Sequence, residues 1–249
     1  VYGIVPGDVE VTPDAVGIGD PPAEVKVVRQ GDVAALVSEI DTSMPLGTPD
    51  DLRAHARLLD GAATTAPVLP MRFGAVLTDE EAVKEELLAE HEQEFVDALA
   101  ELEGRVQFTV RARYVEQAVL TEIVNERPDI AQLRDAIAKA PNAEATRNER
   151  IQLGQLVSEA IEQKRQLDAN SLVERLSPLS DSYVVREPSH DEDAAHIAFL
   201  VQLDQQEPFQ AAVSEVQEEG KERIDVLLLG PSAPYDFVGA PPPPASGGV

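Results

Sequence analysis

The chain has 249 residues, enough for one large domain or two of ordinary size, and 43% of them are apolar, so a packed core can form. Its 46 acidic residues against 20 basic ones give a net charge of −26, which repels a phosphate backbone or an anionic lipid surface and argues against nucleic-acid and membrane partners. Cysteine is absent, which excludes disulfides and thiolate metal sites and fits a reducing cytoplasm, and no apolar run approaches the roughly 18–20 residues that a membrane-spanning helix needs.

The opening residues, VYGIVPG, carry no basic segment and read as a first strand rather than a signal peptide; with no initiator Met, a few residues are expected to precede them. A loop rich in Pro, Gly and Asp follows through Pro22. EVKVVRQGDVAALVSEI (24–40) then gives two β-rich runs around Gln30-Gly31-Asp32, the pattern of a hairpin. Thr48-Pro49-Asp50-Asp51 opens a short helix by capping and early acids, with Leu52, Ala56 and Leu59 expected on its inner face. A short strand (Ala66–Leu69) should end at Pro70 to Gly74. Thr78-Asp79-Glu80-Glu81 starts a long helix, on which Val83, Leu87, Leu88, Phe95, Leu99 and Leu102 recur at helical spacing up to Gly104. VQFTVRARY (106–114) alternates apolar and polar residues and reads as a strand with one buried and one wet face.

Strands interleaved with two helices predict an α+β fold, with a ferredoxin-like domain over residues 1–115. The middle is helical, broken at Pro128 and Pro141. A run from Ala143 to Leu176 is compatible with a coiled-coil seam, but antiparallel pairing with the preceding helices within the chain is favoured. The last third returns to strands at 182–187, 196–203 and 223–230, with a helix from Glu207-Pro208 to Gly220; IAFLV, apolar on both faces, should be a central strand. Residues 116–240 are therefore expected to form a helical plus α+β C-terminal domain. Pro241 onward (241–249) reads as a disordered Pro/Gly-rich tail.

The motifs of common catalysis are missing: no Gly-rich phosphate loop, no GxSxG, no HExxH. His190-Asp191-Glu192-Asp193 lacks the spaced oxygens and glycine of a calcium loop and reads as a solvated acidic turn. No catalytic, cofactor-binding or metal-ligating residue is assigned, and the chain reads as non-enzymatic. What stands out is APVLPMRFGAVL (66–77), whose single charge is Arg72. An anion-binding arginine would sit there, and so would one tied to a carboxylate at a domain junction; the second reading is preferred. Met71, Arg72, Phe73 and Gly74 are thus candidate partner-contact or junction residues. So are Pro231, Pro234, Tyr235 and Phe237 of the second Pro/Gly-punctuated apolar stretch, which is expected to pack back near the 70–74 turn.

Four stretches in this order carry a family resemblance: VYGIV, VLPMRFGAVL, the FLV strand and LLGPSAPYDFV. From Val1 to Val238 the chain resembles gas vesicle proteins of the L/F family. It departs from their pattern at Gln107, where an acid is usual, and at Ser232, where Trp often follows Gly-Pro. The resemblance implies a cytoplasmic, vesicle-associated accessory protein of gas vesicle assembly without cofactors. Its implied partners are the small hydrophobic shell subunit and other gas vesicle accessory proteins; a monomer is favoured. The rival readings are a ferredoxin-like ligand-binding protein or enzyme with Arg72 at an anion site, and a general acidic holdase.

Overall fold

A computed structural model describes residues 1–12, 15–41, 46–142 and 144–238. The expected tail at 241–249 lies outside them. The chain divides into two compact units. One comprises Val1–Phe108, Leu200–Gln206 and the segment from Gly230 onward; the other comprises Thr109–Phe199 and Glu207–Leu229.

The first unit is built on a four-stranded antiparallel sheet of β1 (Gly3–Pro6), β2 (Lys26–Gln30), β3 (Val33–Val37) and β4 (Leu69–Pro70), in the order β2-β3-β1-β4. The β2–β3 hairpin turns at Gly31-Asp32, where Gly31 takes a φ of 55° and Asp32 N donates to Glu92 Oε1 at 3.0 Å. Helix α1 (Pro49–Ala63) starts in a capping box between Thr48 and Asp51. Its inner stripe is Asp51, His55, Leu59 and Ala63: Leu59 is buried as expected, whereas Leu52 is 48% exposed and Ala56 only half-buried. The reason is Asp51, whose carboxylate is fully used: Oδ2 caps the helix and Oδ1 accepts from Gly19 N at 2.9 Å, so a charged residue can occupy the inner face.

The opposite face of the sheet is covered by a helix in three parts: α2 (Glu80–Ala82), a π-helical stretch (Val83–Ala89) and α3 (Glu90–Leu102). Asp79, one residue later than Thr78, is its cap, accepting from Ala82 N at 2.9 Å. Ile4, Val28, Val33, Ala35, Val37 and Leu69 pack there against Val83, Leu88, Leu99 and Leu102. Helical spacing alone does not reveal the π stretch, which resets the face by about one residue.

The second sheet joins β5 (Arg105–Tyr114), β6 (Ser182–Val185), β7 (Asp193–Gln202) and β8 (Ile224–Ser232) in the order β6-β7-β5-β8. Between β5 and β6 run α4 (Glu116–Glu126), α5 (Pro128–Lys139) and α6 (Arg147–Leu176); α7 (Gln206–Gly220) links β7 to β8. Helix α6 packs on α5 and α4 of its own chain. β7 is central and buried over nearly its whole length. On β5, Gln107 and Thr109 are buried as well, so the wet face begins only at Arg111.

Both sheets share one strand order, yet the βαββαβ connectivity of a ferredoxin-like unit belongs to the second. In the first, the described residues between β1 and β2 hold no helix, because that connection is punctuated by Gly7, Gly17, Gly19, Pro21 and Pro22.

Candidate functional site

Helix α1 holds both of the Pro/Gly-punctuated segments. The first begins at β4, where Met71 N donates to Tyr2 O at 2.9 Å. His55, on the inner stripe of α1, donates through Nε2 to Met71 O at 3.0 Å. That contact sets the tautomer, since a carbonyl can only accept. The His55 ring lies 5.4 Å from Tyr2 and 5.5 Å, edge-on, from Phe73. Burial lowers the His55 pKa, so a neutral ring fastens the turn. Gly74, at φ 92°, completes the turn in a conformation that a side chain would resist.

Arg72 is where the structure differs most from expectation. Its side chain is exposed, and among the described residues it has no hydrogen bond or ion pair. The expected carboxylate partner is not found. The neighbours do the fastening: Met71 through its backbone, Phe73 through its ring.

The second segment is fastened five residues further along α1. Asp60 Oδ1 accepts from Ala233 N at 2.9 Å, and Ala233 and Pro234 are buried. Gln107 Nε2 donates to Asp236 Oδ2 at 2.7 Å while Asp236 N donates back to Gln107 Oε1 at 3.0 Å. Gln107, one of the departures noted above, thus satisfies Asp236 with a donor and an acceptor; an acid there would oppose Asp236 with like charge. Ser232 Oγ donates to Gln107 O at 3.2 Å. Gly230 cannot be replaced without movement, since a Cβ would lie 2.7 Å from Gln107 O, and its φ is 124°. Burial raises Asp60, with Ala233 N–H offsetting part of the effect. Burial, then the Asp60 charge, pushes Tyr235 up to about 12. Pro231 and Phe237 are half-buried, and Phe237 packs on the first unit's core.

A polar cluster that sequence reasoning missed lies in the second unit. Arg223 donates to both oxygens of Asp168 at 2.8 and 2.9 Å and through Nε to Glu122 Oε2 at 2.6 Å. Lys164 bridges Glu122 and Glu126, both at 2.7 Å. The Tyr114 hydroxyl donates to Asp168 at 2.6 Å, with the Arg223 guanidinium 5.7 Å from its ring centroid. Each charged group in this cluster has a partner of opposite sign, two cations serving three carboxylates, so it braces β5, α4, α6 and the start of β8. At the 190–193 turn, Asp193 Oδ2 accepts from Ser189 N and His190 N, each at 2.9 Å. Among the described residues no three His, Asp or Glu side chains are grouped as metal ligands, and no helix is long and apolar enough to cross a membrane.

The family described as gas vesicle synthesis protein GvpL/GvpF matches residues 1–239. The chain belongs to that family. It is 34% identical to gas vesicle protein F of a Streptomyces species, over 96% of this chain and 98% of that protein. It is 26% identical to gas vesicle protein L of the same organism, over 96% and 92%. The fold is that of the crystal structure of GvpF from Anabaena sp., with a TM-score of 0.78 at 24% identity over 96% of this chain and 97% of that one. GvpF from Microcystis aeruginosa superposes with a TM-score of 0.75 at 23% identity, over 95% and 96%. Family membership ties the chain to gas vesicle formation.

Proposed function

We propose that this chain is a non-enzymatic assembly factor that binds the small hydrophobic shell subunit of the gas vesicle in the cytoplasm, before or as the shell nucleates. The observation that carries the reading is the match along nearly the full length to gas vesicle protein F. The higher identity to F than to L of one organism favours an F-type role.

The physics of the partner supports it. A strand-rich apolar subunit aggregates unless its edges are covered, and an exterior at −26 keeps such a complex soluble. We place the main shell-binding surface within residues 1–115. Of the two edges of the first sheet, β4 offers two residues and ends in Pro70, whereas β2 offers five. The exposed, unpartnered Arg72 makes the 71–74 turn a partner contact in the same reading.

The test is co-expression of the full chain with the shell subunit, pull-down, and hydrogen exchange of the complex. Capture with new protection in peptides from 1–115 is expected. No capture overturns the function; protection confined to 116–238 overturns the placement.

A further inference from the structure

Among the described strands that end a sheet, β8 is the longest, with nine residues against five in β2, two in β4 and four in β6. Its first part, IDVLLLG, is mostly aliphatic, with no proline and a single charge, Asp225. Leu227 and Leu229, two apart and so on one face, are 54% and 42% exposed. A long apolar edge strand of this composition pairs with a second copy of itself unless something blocks it.

One side chain stands at the middle of that edge. Val115 N donates to Arg223 O at 2.9 Å, so the Arg223 carbonyl points toward β5. The N–H and C=O of one residue share a side of a strand, and the sides alternate along it. Those of Ile224, Val226 and Leu228 therefore point away from β5, along the open edge. Gln217, in the last turn of α7, donates through Nε2 to Val226 O at 3.0 Å. The same helix buries Phe209, Val213 and Val216, whereas Gln217 is exposed and adds nothing to the core. The turn between α7 and β8 is closed by Arg223 N donating to Gly220 O at 2.8 Å, which keeps Gln217 beside Val226, nine positions on.

We infer that Gln217 is a clasp that closes the free edge of β8 to strand addition, and that what it excludes is the β8 edge of a second copy of this chain. Its amide occupies the place from which the N–H of an incoming strand would bond Val226 O. A ladder across this edge must first break that bond and displace the side chain. Asp225 adds a charge near the start of the strand, but the stretch from Val226 to Leu229 has no other polar side chain to blunt it. The clasp does not depend on shell binding.

The test compares the full-length wild type with Gln217→Ala, with Gln210→Ala as a control at another exposed position of α7, and with Gln217→Ala combined with Leu227→Lys and Leu229→Lys. Alanine is the better helix former, so Gln217→Ala leaves α7 intact, which thermal melts verify. Sedimentation across a concentration series measures association, and hydrogen exchange locates it. Gln217→Ala is expected to associate at concentrations about tenfold below those the wild type needs, with new protection over 224–229. Gln210→Ala is expected to match the wild type, and the two lysines to return Gln217→Ala to the wild-type level. Gln217→Ala matching the wild type in both measurements overturns the clasp. So does equal association of Gln210→Ala, association that the lysines leave unchanged, or association accompanied by a lowered melt, which reports unfolding instead of edge pairing.

Discussion

The two sheets share a strand order but hold their surroundings in different ways. The first is covered closely on both faces, by α1 on one and the π-interrupted helix on the other, and its polar groups mostly pair with backbone. Asp51 caps α1 and holds Gly19, Glu92 holds the hairpin turn, His55 holds Met71 and Asp60 holds Ala233. The second sheet carries three helices in its first crossover, and two of them, α4 and α6, are tied by side chains to one another through Arg223, Lys164 and their carboxylates. The chain thus uses single carboxylates as backbone acceptors at Asp51, Glu92 and Asp60 in the first unit and at Asp193 in the second. It uses guanidinium–carboxylate pairing where long helices need a fixed position.

The strongest way to break the comparison is to remove apolar contact from the first unit. Leu59→Ala empties a fully buried position between α1 and the sheet and should cost about 3–4 kcal/mol, read from urea unfolding. If the second unit depends on its ionic cluster, Arg223→Ala should come next. It leaves Asp168 and Glu122 without their fork, at a cost of about 2–3 kcal/mol. That is below the roughly 3–5 kcal/mol of a fully buried pair, because the Arg223 side chain is 32% exposed. Arg223→Lys should recover only part of the loss, since an ammonium cannot bond both oxygens of Asp168 and Glu122 in one plane.

Acid should separate the two kinds of carboxylate. Burial alone would raise Glu122, but hydrogen bonds from Arg223 and Lys164 outweigh it and hold its pKa below the ordinary value. At Asp193 burial is likewise outweighed, by backbone donors. A depressed folded pKa means that the unfolded chain takes up the proton first. Their stabilisation is therefore present above about pH 4 and lost as pH falls through the lower folded values. Asp60 has the opposite sign. Its raised pKa contributes stability below about pH 4 that is lost as pH rises through the folded value. Asp60→Asn, which keeps an oxygen for Ala233 N, should be no less stable than wild type at pH 7 and should lose that slope, as followed by melts from pH 4 to 7. His55, neutral by burial, costs stability as pH falls below about 6.5.

The smallest effect belongs to Arg72. An exposed, unpaired arginine contributes little to folding, so Arg72→Ala should shift stability by no more than about 0.5 kcal/mol. Under the proposed function it should still weaken shell capture. A large drop in the melt would restore a structural role for Arg72.

What was legible in the sequence was local. Thr48-Pro49-Asp50-Asp51 specifies its own cap within four residues, the Gln30–Val33 hairpin needs only a glycine at its turn, and the alternation of β5 and the apolar run of β7 follow from a period of two. The four stretches VYGIV, VLPMRFGAVL, FLV and LLGPSAPYDFV, taken together and in order, indicated the family. What tertiary structure decided was every pairing between distant residues. Arg223 and Glu122 lie 101 positions apart, and Gln107 and Asp236 lie 129 apart. In a chain with 46 acids, no sequence pattern says which carboxylate an arginine will meet. The same reason accounts for Arg72. An isolated charge in an apolar run looks buried by its neighbours in sequence, but burial is set by what folds against it. Here His55 and Tyr2 take the flanking residues and leave the guanidinium in water.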